Sequence, residues 1–125
     1  MQAIVLPIGD DRYGIELTDV REVVPEPLLT PVPGAPAAVL GVVNLRGEIV
    51  PVLDTARLLG LPPLERIAFA VIAECDAGLA GLASDGEPAT AALHEPAGEG
   101  RFALAGGVVS VLELDDLVPP DGLAP

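Results

Sequence analysis

Short apolar runs alternate with turn residues along this chain, and none carries the 3.6-residue rhythm of a long helix. The run from Ala3 to Ile8 predicts a strand, Gly9 to Arg12 a hairpin turn, and Tyr13 to Leu17 the returning strand. Thr18 is placed to cap a short helical turn over Asp19–Val24, where Val20, Val23 and Val24 fall on one helical face and Pro25 ends it. "VLGVVNL" and "GEIVPVLD" predict two strands joined around Arg46 and Gly47, after which Asp54 is an N-cap for a short helix through "TARLL" that closes at Gly60 and Pro62. "IAFAVIAEC" predicts a long apolar strand, turned at Asp76–Gly78, with "LAGLAS" coming back. Asp85 to Arg101 has little periodicity and is expected to be mostly loop, "FALAGGVVSVLEL" a hairpin around Gly106–Gly107, and "DDLV" a last helical turn.

Seven or so short strands separated by turn residues point to an all-β barrel or sandwich. The pattern also repeats. The segment from Ala3 set beside the segment from Ala70, without gaps, puts strand on strand and Gly14 on Gly81. The segment from Glu48 set beside that from Gly107 puts Asp54 on Glu113, with the offset falling from 67 to 59. Two pairs in the same order suggest one domain over 1–125 built from two similar halves, 1–63 and 64–125, dividing near Pro62–Pro63.

Composition narrows the function. A chain of 125 residues buries about two thirds of its unfolded surface, enough for a core without metal or disulfide. Its single cysteine, Cys75, has no internal partner and fits a reducing compartment. Nineteen acidic residues face six arginines with no lysine, and a net charge of −13 argues against nucleic acid, which needs clustered cations. The same charge serves solubility or a basic partner. The charge-free run Pro27 to Leu45 has the length of a membrane span, but Pro27, Pro31, Pro33 and Pro36 break it, so no membrane insertion is expected. "MQAIVLPIGDD" lacks a basic region and a cleavage site, so no signal peptide is expected. His94 stands alone, and no metal site is expected. No phosphate loop, nucleophile elbow or Cys–His pair is present, which leaves no catalytic residue to nominate. Tyr13, Phe69 and Phe102 are expected in the core.

The segment "GDDRYGIELTDVREVV", a proline-rich link and then "GVVNLRGEIVPVLD" resemble the CheW-like domain. This is the chemotaxis coupling protein, found also as the regulatory end of the histidine kinase CheA. Tyr13-Gly14-Ile15, Val20, Glu22-Val23, Pro36, Gly41, Asn44-Leu45-Arg46-Gly47, Pro51 and Asp54 carry the match. The second half matches more thinly: Asp85 is kept, Ser84 stands where valine is usual, and Glu87-Pro88 replace part of an expected strand.

The resemblance implies two packed five-stranded SH3-like barrels with short helical turns. It implies a cytoplasmic adaptor without enzymatic activity or cofactor, joining chemoreceptor cytoplasmic tips to the regulatory domain of a CheA-type kinase. Such an adaptor is a monomer alone and hetero-oligomeric in arrays. The changed second half also suits a diverged paralogue that binds only one of these partners. A small β-barrel enzyme or ligand-binding protein is the alternative from another class.

Arg46 is the first candidate contact. Its guanidinium suits turn carbonyls of its own hairpin, or carboxylates and carbonyls of a partner. Asn44 and Gly47 suit turn-making. Under the resemblance Gly41 lies near a receptor-facing groove, Val20 and Val43 form part of its floor, and Glu22 is mainly solvated with a lesser prospect of pairing with Arg46.

Overall fold

The computed structural model describes residues 1–118. Eleven strands and two short helices follow in chain order. They are β1 (Gln2–Ile8), β2 (Asp11–Glu16), β3 (Val20–Pro25), β4 (Val39–Leu45), β5 (Glu48–Leu53), α1 (Thr55–Leu58), β6 (Phe69–Cys75) and β7 (Gly78–Ser84). Then come β8 (Ala89–Ala92), β9 (Pro96–Gly98), β10 (Arg101–Leu104), β11 (Gly107–Val111) and α2 (Leu114–Leu117). One sheet has six strands in the order β8-β1-β2-β11-β10-β9, the other five in the order β3-β6-β7-β5-β4. The all-β expectation holds, with one sheet a strand larger than expected.

Each sheet curls on itself. Ala92 to Pro96 is four chain steps, a reach of about 14 Å, yet these residues belong to the outermost strands β8 and β9. In a flat six-stranded sheet those strands would lie about 24 Å apart. The smaller sheet closes similarly: the link after β3 folds back onto β4, where Thr30 and Val42 exchange two backbone hydrogen bonds of 2.9 Å. That isolated bridge is the counterpart of β9, which pairs with β10 through Gly98 and Arg101. The sixth strand is thus reduced to a single bridge in the smaller sheet. Closure removes the unpaired edges that an open sheet would expose.

The repeat reappears in the registers. Gly81 partners Val52 across the parallel pair β7–β5, and Gly14 partners Val111 across β2–β11. Both glycines sit where a Cβ would crowd a neighbour: Val52 at 3.0 Å for Gly81 and Val109 at 3.1 Å for Gly14. Each sheet also takes strands from both 1–63 and 64–125. The hairpin β1–β2 joins β8–β11, and the hairpin β6–β7 joins β3–β5.

The continuous apolar runs in β1 and β6 follow from burial on both faces. Ala3 and Val5 point into one barrel and Ala70 and Ile72 into the other. Their alternates Ile4, Leu6, Val71 and Ala73 meet in a third core shared by both barrels, with Leu53, Leu82, Leu112 and Leu114. Tyr13 and Phe102 pack at the margins of these cores.

Several expectations are corrected. Asp19–Val24 is not a helical turn. A 3-10 turn covers Leu17–Asp19, with Thr18 inside it, and Val20–Pro25 is β3, paired with β6. Val23 faces the shared core and Val24 the barrel interior, the alternation of a strand. Three β-branched residues among the five from Val20 to Val24, near an available strand edge, favour the extended form. The segment 85–101 is about half loop, but it also contains two strands that its pattern does not announce, β8 and β9. Strand β8 begins directly after Glu87-Pro88 and pairs with β1 over four residues, so that dipeptide precedes the strand instead of erasing it. The last hairpin turns at Ala105–Gly106, not Gly106–Gly107.

Candidate functional site

The tip of the β4–β5 hairpin is built by two residues with positive φ, Arg46 at 51° and Gly47 at 90°. Positive φ at both central residues is the I′ turn that matches strand twist in two-residue hairpins. Asn44 supports it, its Oδ1 accepting the Gly47 N–H at 2.8 Å. For arginine the left-handed conformation is unfavourable, so sequence pattern alone does not assign it there. The sister hairpin β10–β11 makes the same turn from Ala105 at 47° and Gly106 at 78°. Neither a guanidinium nor an asparagine is needed for this geometry: Ala105 stands at the place of Arg46 and Ala103 at that of Asn44.

The Arg46 side chain is 79% exposed and pairs with Glu22, whose side chain is 30% exposed. The glutamate is therefore held instead of freely solvated, in part because its strand lies at the opposite edge of the same sheet and closure brings that edge to the hairpin tip. Val20 begins the same strand, half-buried against the shared core. A second exposed pair, Arg21–Glu74, ties β3 to β6.

Gly41 has a packing reason. A Cβ there would lie 2.8 Å from the Thr30 carbonyl oxygen and 3.2 Å from Leu29 Cβ, in the segment that folds back onto β4. Val43 is 5% exposed and points into the barrel core, so its side chain offers no floor to a groove. The structure thus brings Glu22, Asn44, Arg46 and Gly47 to one exposed rim, with Val20 at the start of the adjoining strand and Gly41 and Val43 beneath.

Asp54 does cap α1 as expected, accepting the Arg57 N–H at 3.2 Å, and it also accepts the Leu64 N–H at 3.2 Å. It is 1% exposed, so this carboxylate is a buried staple between the helix and the connection to β6. Asp85 plays a similar part on the surface, its Oδ2 accepting the Gly9 N–H at 2.8 Å. Among the described residues no three His, Cys, Asp or Glu side chains converge to hold a metal ion, and no helix is long and apolar enough to cross a membrane.

The family model for the CheW-like domain matches residues 2–118. The chain belongs to the CheW family. The chemotaxis protein CheW of Rhizobium meliloti is 28% identical, over 96% of this chain and 88% of that protein. Protein FrzA of Myxococcus xanthus is 46% identical over 42% of this chain, a stretch that spans 32% of FrzA. Among solved structures, the scaffolding protein CheW of Thermoanaerobacter tengcongensis superposes with a TM-score of 0.83 at 25% identity, covering 97% of this chain and 89% of that one. CheW-family proteins are non-catalytic chemotaxis scaffolds, and this chain is a scaffold of that kind, not an enzyme.

Proposed function

We propose that this CheW-family chain is a cytoplasmic adaptor that couples chemoreceptor tips to a CheA-type histidine kinase. It is a monomer alone and takes its place in arrays through hetero-oligomeric contacts. The carrying observation is the exposed guanidinium of Arg46 on a turn whose sister is made with alanine. A cation that the turn does not need, in a chain with six arginines against nineteen acids, is best explained by recognition. Glu22, Asn44 and Gly47 orient it, Val20 adds apolar area, and Gly41 and Val43 hold the strand beneath. A receptor's helical hairpin would lay its apolar face in the groove beside this rim, while an outer surface of one barrel meets the kinase regulatory domain.

The experiment is a pair of titrations, with a chemoreceptor tip fragment and with a CheA regulatory domain, on wild type and Arg46→Ala. Binding of both partners by wild type, and loss of at least one in the variant, supports the reading. Binding of neither partner by folded wild type defeats it. Binding of both, unchanged in the variant, removes Arg46 from the interface.

A further inference from the structure

At the far end of the β1–β2 hairpin, where its tip faces the connection from α1 to β6, lies a cleft of about 510 Å³. Ile8, Ala56, Leu61 and Leu64 give it apolar walls. Around them stand the carboxylates of Asp10, Asp11, Glu65 and Asp85, with the single guanidinium of Arg66. Among the described residues the ion pairs are Arg21–Glu74 and Arg46–Glu22, so none of these four carboxylates has a cationic partner. Four negative charges against one positive, beside low-dielectric walls, focus a negative potential in the cleft.

The walls are fixed in advance. Gly9 N–H bonds to Asp85, Leu64 N–H bonds to Asp54, and Pro62-Pro63 stiffen the connection between. Such preorganisation lowers the ordering cost of binding. The charge is not arranged for a bare metal ion, since no three acidic, His or Cys side chains converge among the described residues. A complementary occupant spreads its positive charge along a chain and has aliphatic surface beside it.

We propose that this cleft docks a basic segment of a partner protein, an Arg or Lys side chain among the carboxylates with a neighbouring aliphatic side chain against Leu61 and Leu64. The site is separate from the Arg46 rim. The hairpin's Ile8–Asp11 end forms the cleft, whereas its Ala3–Glu16 end leads through Leu17–Asp19 to Val20. Neither Val20, Glu22, Asn44 nor Arg46 lines it. The proposal therefore stands or falls independently of the coupling role.

The test is an amide chemical-shift titration of the full chain with a short, end-blocked peptide of alternating leucine and arginine at physiological salt. The expected result is saturable shifts at Gly9, Asp10, Asp11, Leu64, Glu65 and Asp85. The Asp10→Asn/Asp11→Asn variant, altered at an exposed turn, should keep the wild-type spectrum elsewhere and bind about tenfold more weakly. The Asp115→Asn/Asp116→Asn variant should bind as wild type. Shifts scattered over the acidic surface, equal weakening in both variants, or no saturation would overturn the proposal. So would the same shifts produced by a simple polyamine, which would assign the cleft to small cations.

Discussion

Arg46, at the tip of the β4–β5 hairpin, is ion-paired with Glu22 on β3, although β3 and β4 are the outermost strands of the same sheet. The pair crosses the seam at which the sheet closes. Because the arginine is largely exposed, the pair contributes only about 0.5 kcal/mol. Arg46→Ala is therefore expected to move the urea midpoint little while lowering partner affinity about tenfold or more. A large fall in the midpoint would return Arg46 to a role in closing the barrel.

Exchanging the charges separates the two roles of this pair. Glu22→Arg combined with Arg46→Glu restores an ion pair across the seam with its sense reversed. If a partner reads the guanidinium at the tip, the exchange variant stays as defective in binding as Arg46→Ala. Recovery of binding to wild-type affinity would show that the seam alone matters.

Gly41→Ala tests the return segment. Its new Cβ would meet the Thr30 carbonyl oxygen at 2.8 Å; the oxygen is backbone and the Cβ is placed by backbone, so no side-chain rotation separates them. Overpacking of this kind costs about 2 kcal/mol. Urea unfolding is expected to show that loss, and the Thr30 and Val42 amides are expected to exchange faster with solvent. A variant as stable as wild type would mean that the segment shifts freely.

Cys75 gives a pH dependence. Burial pushes its thiol pKa up; a backbone hydrogen bond at Ala77 opposes it, the charges of Asp115 and Asp76 push further up, and a hydrogen bond at Gly78 lowers it slightly, leaving the thiol above its ordinary value. The folded chain thus holds the thiol proton more tightly than the unfolded chain does. Its contribution to stability is present below the unfolded value of about 8.5 and is lost as pH rises through and above it. Labelling by a thiol reagent near pH ~8 is expected to run slower than that of glutathione, whose thiol is free. Faster labelling would contradict the assignment. Cys75→Ser is expected to flatten the alkaline fall in stability.

The residues made some elements legible and hid others. The runs in β1 and β6 announced themselves because both faces are buried, and Asp54 marked the start of α1 because a capping carboxylate has few other uses before "TARLL". Strand β8 was obscured because "ATAA" is small and mostly exposed, and its order comes from pairing with β1. The signal that finds it is the repeat: at the offset of 67 that sets Gly14 on Gly81, Glu22–Pro25 falls on Ala89–Ala92. At the offset of 59, Arg46–Gly47 falls on Ala105–Gly106, which places the last turn correctly where its glycines alone did not. The pairing of Glu22 with Arg46 depends on sheet closure, a property of the whole barrel and not of either segment. The inward aim of Val43 follows from strand alternation, once the bulge between Val39 and Gly41 fixes the phase.

The exchanged hairpins have a mechanical consequence. Neither barrel can be completed from 1–63 or from 64–125 alone, because each borrows its first hairpin from the other stretch. A half-length forerunner would have needed a second copy of itself to close either barrel. In the present chain the loan is made within one polypeptide, and the polypeptide passes between the barrels through Leu17–Asp19 and again between β7 and β8. The two barrels are thus bolted together as a bracket and not strung on a hinge. Whatever one barrel holds is set at a fixed distance and angle from whatever the other holds.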